Sequence, residues 1–289
     1  MEVFLSERTF LLDIKKIDEN LVQSENTIYK TLQRYSCNIG DYENSVLAEA
    51  IFIRLGWSNK YKDTIFSFRP FFCKIVEIYS NENPPKLKDG SIIKYSFNEN
   101  MLKYKIDKKE KEYSYSKDKL YEKAIGKDQC LHKVLEKIKE DKEVWKKVEQ
   151  LSKLSDSLSN FMPHPGYPFN QAKGCIIEVV DSLNLMIDKI QECIDTKDNL
   201  EYIENGYKKV IELEKLKIWQ EWLIKNQSVY CLNGFYSVTN DNKIEGTKLF
   251  KNQSLNNPLP QNRNDILESL ESIIYLLSER AERMNNAFH

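Results

Sequence analysis

Close to residue 116 the spacing of apolar side chains changes period, and that change limits the folds open to the chain. Ahead of it, in MLKYKID (101–107), Leu102, Tyr104 and Ile106 alternate with Lys103, Lys105 and Asp107. A period of two with charge on one side belongs to a strand that has one face on a core and the other in water. SIIKYSF (91–97) precedes this run, and Tyr113 and Tyr115 repeat the alternation after KKEK. Residues 91–116 therefore predict a small antiparallel meander, with the lysines on its wet face.

Beyond residue 116 the spacing becomes three and four. Leu131, Val134, Leu135, Ile138, Trp145, Val148 and Leu151 mark one amphipathic helix, with His132 partly exposed on it. Ile176, Val179, Val180, Leu183, Met186 and Ile190 mark a second, and the charge-rich 199–223, with Trp219 and Trp222, a third. The last helix starts near Asn264 or Asp265. Its residues Leu267, Leu270, Ile274, Leu277, Ala281, Met284 and Phe288 keep a heptad seam for three repeats, which calls for one partner helix in the same chain.

Other stretches are less regular. Residues 42–55 carry a helical stripe (Val46, Leu47, Ala50, Ile51, Leu55) ended by Gly56. TIFSFRPFFCKIVEIY (64–79) contains Pro70, which permits an edge strand or a break between two short elements. NENPPKLKDG (81–90) reads as a loop, and VYCLNGFYSV (229–238) as a strand pair or a buried aromatic loop. The fold class expected is α+β, mainly α-helical, with a small antiparallel β-meander packed on a helical bundle. Gly126 is the weakest joint. It separates a mixed part, 1–126, from a helical part, 127–289, and the two are compatible with one continuous domain.

Composition narrows the function. At 289 residues, 41% hydrophobic and 30% charged, the chain can bury a core. Lys plus Arg is 43 against 44 for Asp plus Glu, a balance that argues against general nucleic-acid binding, which rests on neutralising phosphates. No window holds eighteen uninterrupted apolar residues, so no membrane span is expected. The N-terminus lacks a basic n-region and has charges at Glu7, Arg8 and Asp13, unlike a secretory signal. The six cysteines form no CxxC pair, Cys175 and Cys193 sit among apolar residues, and the three histidines are far apart. A reduced, cytoplasmic protein without metal or cofactor is expected. GxGxxG, GxxxxGK[ST], HExxH and GxSxG are all absent.

One segment stands apart from the helical spacing. NFMPHPGYPFNQAKG (160–174) places Pro163, Pro165 and Pro168 around His164, and each proline fixes its own φ and restrains its predecessor. One reading is a stiff crossover packed by Phe161, Met162, Tyr167 and Phe169, with Gly174 closing the turn before the next helix. The other is a pocket wall, where Asn160, His164, Asn170 and Lys173 offer polar groups beside apolar rings. Buried aromatics need a partner surface, and Ala281 leaves room for one near Arg280 and Met284. The segment is therefore expected to meet the last helix there. The candidate ligand-binding set is Asn160, His164, Asn170, Lys173, Arg280 and Arg283; no catalytic residue is assigned.

NFMPHP (160–165), FNQAKG (169–174) and RAERM (280–284) resemble an uncharacterised bacterial family. Its members carry N-F-[IM]-P-x-P, then F-N-x-x-[RK]-G, and end in a helix with R-x-x-R-M. The inserted GYP and Lys173 in place of arginine are departures. The resemblance implies that the loop and the last helix belong to one site, and implies no activity. Arg283 and His289 stand in R-x5-H order, which resembles the RNA-cutting motif of the helical HEPN ribonucleases. Met284 follows the arginine where that family has a polar residue, and His289 is the final residue, where chains fray, so this reading is disfavoured.

Two functions remain as expectations. The first is a binding or interaction module of bacterial or phage type, in defence or mobile-element biology, with an unknown protein or small polar ligand as partner. The second is a metal-independent nuclease or other phosphoryl-processing enzyme using Arg280, Arg283, Lys173 and His164. The enzyme should cluster those four around an open concave site. The module should bury His164 and expose an apolar or aromatic patch.

Overall fold

The computed structural model describes residues 57, 62–82, 84–87, 89–98, 101–106, 109–116, 129–155, 157–176, 181–204 and 206–288. The helical stripe at 42–55, Gly126 and His289 lie outside these residues. Among the described residues helix outweighs strand by more than two to one, so the fold is α+β and mainly helical. No described helix is long and apolar enough to cross a membrane.

Among the described residues the first element is β1 (Lys62–Thr64), which leads into α1 (Phe68–Glu82). Pro70 lies in the first turn of α1, where its missing N–H would have no helical partner in any case. The stretch around Pro70 is thus a break followed by a full helix, and its aromatic run is no edge strand. Phe68, Phe71, Phe72, Cys73, Ile75 and Val76 are all buried, because α1 lies between the meander and the next two helices.

The meander takes the place its alternation indicates. β2 (Ile93–Asn98), β3 (Met101–Ile106) and β4 (Lys109–Ser116) pair antiparallel in the order β2-β3-β4. Ile93, Tyr95, Tyr104 and Ile106 are buried, while Lys94, Ser96 and Lys105 are exposed. Tyr95 and Tyr104 sit opposite each other, with ring centroids 5.4 Å apart.

The stripe from Leu131 to Leu151 is two helices, α2 (Gln129–Glu140) and α3 (Lys142–Ser155), broken at Asp141 without glycine or proline. The Asp141 carboxylate accepts the Val144 N–H at 3.3 Å, in the manner of an N-cap. It also accepts Tyr79 Oη (2.7 Å) and both Nε and Nη2 of Arg263. The Arg263 guanidinium beside it holds the Asp141 carboxyl down to about 2. This knot pins α1 and the start of α7 (Arg263–Phe288) to the α2–α3 corner.

Helix α7 packs along α3, the intramolecular partner that the seam calls for. Its buried stripe is Ile266, Leu270, Ile273, Leu277, Ala281 and Met284, with Leu267 and Ile274 half-buried at the flank. A straight helix drifts away from a strict seven-residue repeat, which moves the contact from 267 and 274 to their neighbours.

The stripe from Ile176 to Ile190 falls partly on the end of α4 (Phe169–Ile176) and partly on α5 (Leu183–Thr196), while Val179 and Val180 lie outside the described residues. Gly174 belongs to the interior of α4 and does not close a turn before a helix. Helix α5 buries Leu183, Leu185, Met186, Ile187 and Ile190 and is the centre of this half of the core. The run 199–223, expected as a helix, is a hairpin followed by a helix: β6 (Leu200–Glu204), β7 (Tyr207–Ile211) and α6 (Leu213–Asn226). Asn205-Gly206 lies between alternating strands, and Gly206 takes φ +80°, which glycine adopts without strain. The charge density that suggested a helix is spent across the strands, where Lys208 pairs with Glu201 at 2.6 Å.

Residues 229–238 supply a turn that buries Cys231, Leu232 and Phe235, and then β8 (Tyr236–Val238), which pairs with β9 (Ile244–Gly246). This ribbon lies so close to α5 that a Cβ on Gly246 would stand 2.1 Å from the Asn184 carbonyl oxygen. One continuous core runs from Ile65 to Leu277.

Candidate functional site

Strand β1 pairs antiparallel with β5 (Phe161–Pro163), the start of the proline-rich segment, with Asp63 opposite Met162 and Thr64 opposite Phe161. The ribbon is three residues long, and side chains around it do the work that a longer ladder would do. Asn160 ends a 3₁₀ turn (Leu158–Asn160) and is buried. Its Oδ1 accepts the Phe66 N–H (3.0 Å), and its Nδ2 donates to the carbonyls of Phe66 and Ser155 (2.9 Å each). Its own carbonyl accepts the Ile65 N–H at 2.7 Å, so Asn160 continues the β1–β5 pairing by two residues, first with its main chain and then with its side chain.

Lys173 projects from α4 and is also buried. Its Nζ donates to the Thr64 carbonyl at 2.7 Å, hydrogen-bonds Asp181, and lies 3.0 Å from Asp63 Oδ2. Burial alone would push the ammonium down, but the charges of Asp181 and Asp63 outweigh it and hold Lys173 above its ordinary value. Burial raises the Asp63 carboxyl, against the pull of Lys173 and with the help of Asp181.

His164 is 2% exposed. Its Nδ1 accepts the Gly166 N–H at 3.1 Å, and its ring stacks on Phe169 with centroids 5.9 Å apart. Phe169 in turn meets Trp219 edge-on at 5.2 Å. Burial, reinforced by the Lys173 charge, pulls the imidazole down to about 4, so it is neutral at neutral pH.

Arg280 is 0% exposed. Nη1 donates to the carbonyls of Ser159 and Phe161, while Nε and Nη2 donate to that of Tyr230. The guanidinium carbon lies 5.5 Å from the centre of the Trp57 ring, a cation–π contact. Burial holds Arg280 below its ordinary range. Arg283 is half-buried and donates to the Asn233 carbonyl at 2.7 Å, with Glu279 at 3.6 Å. Asn170 is half-buried and makes no side-chain hydrogen bond to the described residues. The expected meeting of the proline-rich segment with the last helix therefore occurs, through Arg280. The segments NFMPHP, FNQAKG and RAERM contribute to one buried polar hub.

The partners of that hub were not legible in the sequence. Asp63 and Thr64 come from a strand about a hundred residues earlier, and Tyr230 from the turn between α6 and β8. Among the described residues no three His, Cys, Asp or Glu side chains are grouped to hold a metal ion.

A second candidate surface lies on the β6–β7 hairpin. One face of it, with Leu200, Tyr202 and Ile211, is buried, and β6 packs against α4. Toward water the register sets Glu201 opposite Val210 and Ile203 opposite Lys208, so an ion-pair diagonal crosses an apolar diagonal. Ile203 is 63% exposed, Val210 51% and Tyr207, at the tip, 72%. Tyr167, also exposed, lies within electrostatic reach of Tyr202. Alternation on both sides of Asn205-Gly206 was the sequence signal for this surface. No protein-family model, curated protein or solved structure matches the chain.

Proposed function

We propose that the protein is an interaction module that binds another protein chain, with the β6–β7 hairpin as its contact surface. The observation that carries this reading is the hairpin's exposed apolar pair, Ile203 and Val210, on its water face, with Tyr207 exposed at the tip on the other face. Large apolar side chains grouped on one small element lose hydration cost when a partner covers them, and aromatic residues are enriched where partners bind. The alternative, phosphoryl-processing chemistry, needs Arg280, Arg283, Lys173 and His164 around an open site. Arg280, Lys173 and His164 are buried, Arg283 is half-buried and held by the Asn233 carbonyl, and Arg280 and Lys173 also donate to main-chain carbonyls. The four described cysteines are all free, which fits a reducing, cytoplasmic setting.

A photo-crosslinking residue placed at position 203 tests the reading, with position 94 on the meander as control. Position 203 should capture one defined partner, and purified partner should lose at least tenfold in affinity for Ile203→Asp/Val210→Asp while that variant keeps its melting temperature. Equal capture from position 94, or unchanged affinity, would refute it.

A further inference from the structure

We infer that the free edge of β7 takes an extended acidic segment of a partner protein as a third strand; this rests on the hairpin being the contact surface. Among the described residues the β6–β7 sheet has two strands. Its closing pair is Glu204↔Tyr207, with two residues between them in the sequence. In such a hairpin the closing pair exchanges hydrogen bonds, and hydrogen-bonded and non-hydrogen-bonded pairs then alternate. Tyr202↔Lys209 and Leu200↔Ile211 are accordingly bonded, and the N–H and C=O groups of Lys208 and Val210 point away from β6. The side chains of Tyr207, Lys208, Lys209 and Val210 are exposed, so the edge is open to an incoming strand on both faces.

Charge decides the occupant. Lys208 and Lys209 are consecutive, so each face of the edge carries a cation. In an antiparallel pairing of β7 with β7 of a second copy, the register centred on residue 208 sets Lys208 against Lys208, and the register centred on 209 sets Lys209 against Lys209. Like charges directly opposite are destabilising, which disfavours both of these pairings with a second copy. An acidic strand meets the opposite condition. The strand that β7 already accepts, Leu-Glu-Tyr-Ile-Glu of β6, shows the matching composition: Glu201 reaches Lys208, and Tyr202 stands opposite Lys209. Lys209 has no ion-pair partner among the described residues and is available to a second acidic strand. Main-chain hydrogen bonds from Lys208 and Val210 would supply affinity, and the two lysines, on opposite faces of the edge, would select acid on both faces of the incoming strand.

The test uses the intact chain and a fluorescein-labelled peptide carrying the LEYIE sequence twice, followed by anisotropy. Saturable binding is expected, weakened at least tenfold by N-methylation of alternate peptide residues, which blocks strand pairing without altering the protein. A peptide in which lysine replaces each glutamate should not bind. Lys208→Glu/Lys209→Glu should invert that preference, and if this variant fails to fold the peptide controls still decide the matter. No binding of the acidic peptide, equal binding of its N-methylated or lysine form, or a dimer of the chain formed through this edge in sedimentation would each overturn the proposal. If crosslinking from position 203 succeeds while the peptides fail, the edge assignment falls and the contact surface stands. If both fail, both fall.

Discussion

The Arg280 side chain donates through Nη1 to the carbonyl oxygens of Ser159 at 2.6 Å and Phe161 at 2.8 Å, joining the last helix to both sides of Asn160. Nε and Nη2 reach the Tyr230 carbonyl from the same guanidinium, at 3.2 and 3.1 Å. One planar fork thus closes three chain segments on one another, and its geometry suits arginine and no other side chain.

Arg280→Ala should cost about 3–5 kcal/mol, because it leaves buried carbonyls without donors. Arg280→Lys should recover less than half of that loss, since an ammonium cannot span the three acceptors. Urea denaturation monitored by circular dichroism measures both. A loss below about 1 kcal/mol for the alanine variant would remove Arg280 from its stabilising role.

Lys173→Met should destabilise by a similar amount, about 3–5 kcal/mol, by leaving Asp63 and Asp181 without their ammonium. Adding Asp63→Asn and Asp181→Asn should restore most of the loss. Additive losses in the triple variant, read from chemical denaturation, would show that the three side chains do not act as one charge cluster.

His164 should make stability depend on pH. Its folded value of about 4 lies below the ordinary 6.5, so the unfolded chain takes up the proton first. The stabilising contribution is therefore complete above pH 6.5 and is lost as pH falls toward 4, by up to roughly 3 kcal/mol. His164→Gln should flatten that part of the stability profile relative to the parent chain. Identical slopes for the two proteins between pH 6.5 and 4 would contradict the assignment.

The meander and the seam of α7 were legible because their periodicity is set by what each faces. β3 alternates because one side meets the core, and Leu270, Leu277, Ala281 and Met284 repeat because α3 runs alongside. The break at Asp141 was not legible. It is fixed by Tyr79 and Arg263, which are remote in sequence, and nothing local interrupts the stripe. The hairpin was missed for another reason: charges at 201, 204, 208 and 209 can stabilise either a helix or a ladder, and Asn205-Gly206 is what separates the two. At the hub, the readers Asn160, Lys173 and Arg280 were identified and their partners were not, because those partners act largely through main-chain atoms that no residue type advertises.

Gly246→Ala should cost about 2–4 kcal/mol, since the added methyl would meet the main chain of α5 and cannot swing aside. Hydrogen exchange should quicken at the β8–β9 amides before it does so in the meander. Unchanged stability would mean that α5 and β9 can separate at little cost.

The hub's reliance on carbonyl oxygens has a consequence for how the protein tolerates change. At Thr64, Ser159 and Tyr230 the atom being held is common to all twenty amino acids. Any side chain that fits the local space keeps the contact. Asn160, Lys173 and Arg280 have no such latitude, because each reaches its targets with a donor set that no other residue reproduces at the same length. Drift should therefore be one-sided, with the held positions varying in identity while the three that hold them stay fixed.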